Sequence, residues 1–280
     1  MKKRSFSLLL LLFIAFSLYS CASYNEEHTS HEISEDGRNV YPPAEKTMFA
    51  GSASELKGRC LCINVFVNVN DAKWTENCIN ETLGLLDSAS VFIEGMAESY
   101  GTALDIVCTP FDEKCVFDYD IDGTATRDFA WTNELFAETG YGSLAAFAEK
   151  NYASEVYDNC FAVFHVIADE RSYAVSYDVS ASDADEYSFE RSVIFHSHDE
   201  KYEYTDTPYT YAHEILHLFG GCDLYAPNIT EENEKTFKTL FLNDVMNKND
   251  DIELLSVSPY TAWRVGWTDG LDKNYEFLIK

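Results

Sequence analysis

The sequence predicts an α+β domain built on a mixed sheet, and three observations carry that expectation. Short runs rich in β-branched and aromatic residues mark strands at 61–70, 103–108, 159–168, 172–179 and 191–196. Apolar residues at helical spacing mark helices at 80–100 and 143–157, between those strands. A further helix with clear start and stop signals follows the last strand, from Pro208. Strands interleaved with helices and closed by a late helix suit an α+β arrangement.

The chain opens with a targeting segment. Lys2, Lys3 and Arg4 precede an apolar run from Leu8 to Leu18, the length of a signal-peptide core and too short for an ordinary membrane span. The segment ends Leu18-Tyr19-Ser20-Cys21, which resembles a bacterial lipobox. That resemblance implies cleavage before Cys21, lipidation of Cys21, and a protein held by an N-terminal lipid anchor in the bacterial cell envelope, outside the cytoplasm. Polar, acidic residues 22–57, with Pro42-Pro43 among them, lack periodicity and read as a stalk. The expected organisation is a leader over 1–21, a stalk over 22–57 and one domain over 58–280.

Twenty basic residues stand against 48 acidic ones, a net charge of −28. The leader holds three of the cations, so the exported part is more negative still. Such a surface repels phosphate backbones and anionic lipid, which argues against nucleic acid as a partner.

Seven cysteines follow Cys21, at 60, 62, 78, 108, 115, 160 and 222. Export permits disulfides, and an odd number leaves at least one thiol free. Cys60 and Cys62 are two apart in a strand and face the same side. A bridge between Cys108 and Cys115 is the first expectation. No CxxC pair suggests a cysteine zinc site.

The strand LCINVFVNVN (61–70) starts the domain. The helix at 80–100 carries Leu83, Leu86, Ala89, Phe92, Ile93, Met96 and Tyr100 on one side, and Gly101 ends it. Runs 159–168 and 172–179 are strands linked by a charged turn. The last helix has Thr207 as N-cap and Pro208 at its first position. Ala212, Ile215, Leu216 and Phe219 give it one buried stripe. His213 and His217, four apart, project together from another side. Gly220-Gly221 then break it.

Two imidazoles fixed on a helix are good zinc ligands, and a catalytic zinc takes three protein ligands with one position open. The turn at Gly220 brings Asp223 within reach as the third. Glu214, beside the first histidine, is placed to act as general base on a water activated by the metal.

The run HEILHLFGGCD (213–223) resembles the metzincin metallopeptidases, whose motif is HExxHxxGxxH/D, with Asp223 in the last place as in the snapalysin-like branch. DVMN (244–247) is similar to the tight turn whose methionine, here Met246, lies beneath the metal in that family. The resemblance covers these two motifs and the order of strands and helices. It implies a zinc endopeptidase acting on proteins or peptides. It also implies a cleft between an upper subdomain (58–220) and a small lower one (221–280), with an extended substrate pairing on an edge strand. Lys248 stands where several members have a metal-site tyrosine, so that group is absent; Tyr225 or Tyr260 are the alternatives for polarising the substrate carbonyl.

Other readings stay open. A gluzincin would take Glu231, Glu232 or Glu234 as third ligand in place of Asp223. A lipoprotein binding module could keep the fold without activity, although it would have no need of Glu214. His196 and His198 are either strand-end histidines near the cleft or ligands of a second metal. DYDIDG (118–123) matches the first half of a calcium loop through Asp118, Asp120 and Asp122, but position twelve is Phe129. That leaves a calcium ion on a shortened loop, or a solvated acidic loop.

Overall fold

The computed structural model describes residues 55–119, 130–168, 170–175, 190–196, 206–226 and 229–278. Its elements are β1 (Gly58–Val69), α1 (Glu76–Ser99), β2 (Leu104–Cys108), β3 (Val116–Tyr119), α2 (Ala130–Glu138), α3 (Leu144–Tyr152), β4 (Asn159–Val166), β5 (Tyr173–Val175), β6 (Arg191–Phe195), α4 (Pro208–Leu218), α5 (Glu231–Leu240) and α6 (Pro259–Arg264). The fold is α+β with a mixed sheet of six strands, in the order β2-β1-β4-β6-β5. β3 continues the β2 edge by pairing with the second half of β1.

All pairings are parallel except β5 with β6. Parallel strands are buried on both faces, and the sequence shows why these can be. Cys60 and Cys62 of β1, Phe161 and Val163 of β4 and Ile194 of β6 point to one face, against α1, α4 and the C-terminal segment. Leu61, Ile63, Val65 and Val67, Ala162 and Phe164, and Val193 and Phe195 point to the other, against α2 and α3.

The charged turn after β4 does not make a hairpin, because β6 inserts between β4 and β5. β5 is therefore the antiparallel strand at the end of the sheet. The expected Cys108–Cys115 bridge is not formed: both cysteines are free thiols. Cys108 packs with the α1 face, while Cys115 belongs to the core on the opposite face. The sheet itself separates them.

The ordered body reaches back before residue 58. Leu56 is fully buried; its N–H donates to Val265 O at 2.8 Å and its carbonyl accepts from Trp267 Nε1 at 2.7 Å. Cys21 and the rest of the segment expected to be a leader lie outside the described residues. Among the described residues no helix is long and apolar enough to cross a membrane.

Candidate metal centre

α4 begins where the sequence places it. The hydroxyl of Thr207 accepts from Thr210 N–H, with Pro208 in the first turn. Its buried side carries Ala212, Ile215, Leu216 and Leu218. A buried polar chain also ties it to the sheet. Asn64 Nδ2 donates to Thr109 O, so Asn64 Oδ1 accepts from His165 Nε2 at 3.0 Å. His165 Nδ1 then accepts from the Tyr211 hydroxyl at 2.9 Å. His196 Nε2 lies 3.2 Å from the same hydroxyl, and its Nδ1 faces the Asp206 carboxylate. Tyr211 thus fixes the rotation of α4 two residues before His213.

The helix stops because of its two glycines. Gly220 has φ of 94°, a conformation open to glycine and costly for other residues. A Cβ on Gly221 would lie 2.8 Å from Leu216 O, the carbonyl that accepts from Gly221 N–H. The sharp reversal that follows returns Asp223 to the histidines.

There the ligand atoms meet. His213 Nε2 and His217 Nε2 are 3.0 Å apart, and Asp223 Oδ1 is 3.2 Å from each. Ligand atoms on a tetrahedral ion with bonds of about 2.0 Å stand about 3.3 Å apart, so the triangle has the size a zinc ion requires. The outer nitrogens are fixed too. His213 Nδ1 donates to Val245 O at 3.0 Å and His217 Nδ1 to Gly221 O at 2.8 Å. In neutral rings those bonds turn both Nε2 lone pairs towards each other and towards a carboxylate. Three electron-rich atoms converging in this way fit a cation between them. Among the described residues this is the one group of three His, Cys, Asp or Glu side chains with ligand atoms within 4.8 Å of one another.

Val245 belongs to a turn held from below. The wholly buried Asp244 carboxylate accepts from Met246 N–H at 2.7 Å, Ser258 N–H at 2.6 Å and the Thr261 hydroxyl at 3.1 Å. Met246 is fully buried under the histidines' helix, and its carbonyl accepts from Leu224 N–H next to Asp223. The turn therefore orients His213 and anchors the chain beside Asp223.

Electrostatics follow from this crowding. Burial lowers the basicity of His217, but the Asp223 carboxylate outweighs it and holds the imidazole up to about 9. Burial also opposes ionisation of Asp223, yet hydrogen bonds from His213 and His217 keep it well below the usual carboxylate range. Glu214 is buried on the same helix, only 8% exposed.

Three further residues at the site were not singled out in the sequence analysis. Tyr209 packs on His213, with ring centroids 5.4 Å apart. Arg171, in the turn leading to β5, donates to the Tyr225 hydroxyl at 3.3 Å. Its positive charge acts on Asp223 and Glu214. Asp244 is the third. Tyr209 was discoverable as the residue one turn before His213; Arg171 was not, because a loop brings it there. Tyr225 is beside Asp223, whereas Tyr260 is buried in the core against Trp263.

The remaining candidates fall elsewhere. Glu231, Glu232 and Glu234 lie in the first turn of α5; Glu234 accepts from Ala226 N–H at 3.0 Å and pairs with Lys238. Both ring nitrogens of His196 have protein partners, and His198 lies outside the described residues. Asp118 sits on β3, where Asn68 and Lys73 bind its carboxylate at 2.8 and 2.6 Å. Asp120 and Asp122 lie outside the described residues. No family model and no curated protein matches the chain.

Proposed function

We propose that the chain is a zinc-dependent endopeptidase of the bacterial cell envelope, anchored through a lipid on Cys21, of the metzincin type. The observation that supports this most is the triangle of His213, His217 and Asp223, with both histidines oriented by backbone carbonyls. Zinc supplies Lewis acidity there and lowers the pKa of a water towards about 7. Glu214 takes the proton from the attacking water and delivers it to the leaving amine. In this reading Arg171 and Tyr225, whose side chains meet beside the cluster, stabilise the carbonyl oxygen as charge develops on it, in the absence of a tyrosine at Lys248. Among the described residues β5 ends the sheet order and packs against α4, which suits an extended peptide laid along it beside the ligands.

The test separates ligand from base. The chain without its leader should hold stoichiometric zinc by elemental analysis. Glu214→Gln should keep that zinc while hydrolysis of a peptide substrate falls by several orders of magnitude. A chain that takes up no zinc after reconstitution, or a Glu214→Gln variant with unchanged turnover, overturns the reading.

A further inference from the structure

The second chemistry of this chain is in its thiols. Cys62 on β1 and Cys108 on β2 are register partners, directly opposite each other on adjacent parallel strands. Neighbouring strands lie about 4.7–4.9 Å apart, inside the Cα separation of about 4.4–6.8 Å that a disulfide spans. Both side chains project to the α1 face. No other cysteine shares that relation among the described residues. Cys60 faces the same way but opposes Ile106, and Cys160 opposes Leu61 on the far side of the sheet.

We propose that Cys62 and Cys108 are a redox pair that closes to a disulfide linking β1 to β2 when the exported protein meets a low-molecular-weight disulfide.

The two thiols have different roles. Cys62 is fully buried and Cys108 only partly so. The neighbouring Cys62 thiol and the Ser90 hydroxyl, the latter 3.6 Å from Cys108 Sγ, favour the Cys108 thiolate. Burial holds Cys62 as the protonated thiol. Cys108 thiolate attacks one sulfur of the external disulfide and displaces a thiolate. Cys62 then loses its proton and attacks Cys108 Sγ in the mixed disulfide, which expels the second thiolate. The protein loses two protons and two electrons, and the external disulfide takes them up to become two thiols. The new bond ends one residue before Thr109, which holds Asn64 of the polar chain that orients α4.

The experiment uses the folded chain, reduced and then treated with oxidised glutathione, with remaining thiols alkylated before digestion. The expected result is a mass loss of two hydrogens and a linked peptide pair containing Cys62 and Cys108, with Cys60, Cys115 and Cys160 alkylated. Cys62→Ala should instead accumulate a stable glutathione adduct on Cys108, because the resolving thiol is gone. If Cys62→Ala does not fold, the wild-type peptide map decides alone. Free Cys62 and Cys108 after native oxidation, a lasting adduct on wild-type Cys108, or a bridge from either to another cysteine overturns the proposal.

Discussion

Asp223 and Arg171, whose charges act on each other, should fail in different ways when replaced. On the proposed function Asp223 is a ligand, so Asp223→Ala should lose tight zinc binding, whereas Glu234→Ala should keep it because Lys238 and Ala226 already occupy that carboxylate. Zinc retained by Asp223→Ala and lost by Glu234→Ala would favour the gluzincin assignment. Arg171→Ala should keep its zinc but lower kcat by about 10²–10³-fold, the usual effect of deleting one donor to a developing oxyanion, with KM little changed. Arg171→Lys should recover part of the loss. An Arg171→Ala enzyme with wild-type kcat would show that the guanidinium does not act on the reacting carbonyl. That His213, His217 and Asp223 come together was readable in the sequence because one helix and one tight turn hold them within eleven residues. Arg171 was not readable, since only the tertiary path of a loop relates it to Asp223.

At the scale of elements, the end of α4 matters more than its length. Gly221→Ala would press a methyl against Leu216 O, and the chain must shift to relieve it. A cost of about 1–3 kcal/mol is expected, together with weaker zinc binding, because Gly221 O also orients His217. Denaturant melts and zinc titration of Gly221→Ala would check both; unchanged zinc affinity would mean that the turn does not position the ligands. Strands β1, β2, β4 and β6 and helices α1 and α4 were legible because their apolar residues are dense and periodic. β3, α2, α5 and α6 gave weaker patterns. α5 buries Phe237 alone, and α6 is six residues long. Their helicity depends on what they pack against and on the caps at Thr230 and Ser258.

The whole molecule carries a pH dependence in its centre. Burial holds His165 well below the usual histidine range, and neighbouring His196 adds repulsion. In the unfolded chain it titrates near 6.5. Above that pH both states are neutral and the residue contributes no slope. As pH falls below about 6.5 the unfolded chain binds a proton that the native state refuses, so stability drops by about 1.4 kcal/mol per pH unit until the native pKa is reached. Urea midpoints between pH 7 and 5 should therefore fall more steeply for the wild type than for His165→Gln. Parallel slopes would remove His165 from the account. The sequence placed this histidine in a strand but could not show its partners, which come from β1 and α4.

The clasp on Leu56 also sets an order in time. Leu56 is bonded to Val265 and Trp267, and the latter contact spans 211 positions. A chain that emerges N-terminus first cannot bury Leu56 until its last segment has arrived. The same holds for the carbonyl of Val245, which reaches His213 from 32 positions downstream. Until then the first histidine of the triangle has no fixed tautomer. The triangle is thus completed late, after the C-terminal segment has arrived, and on the proposed function capture of a zinc ion would be late as well.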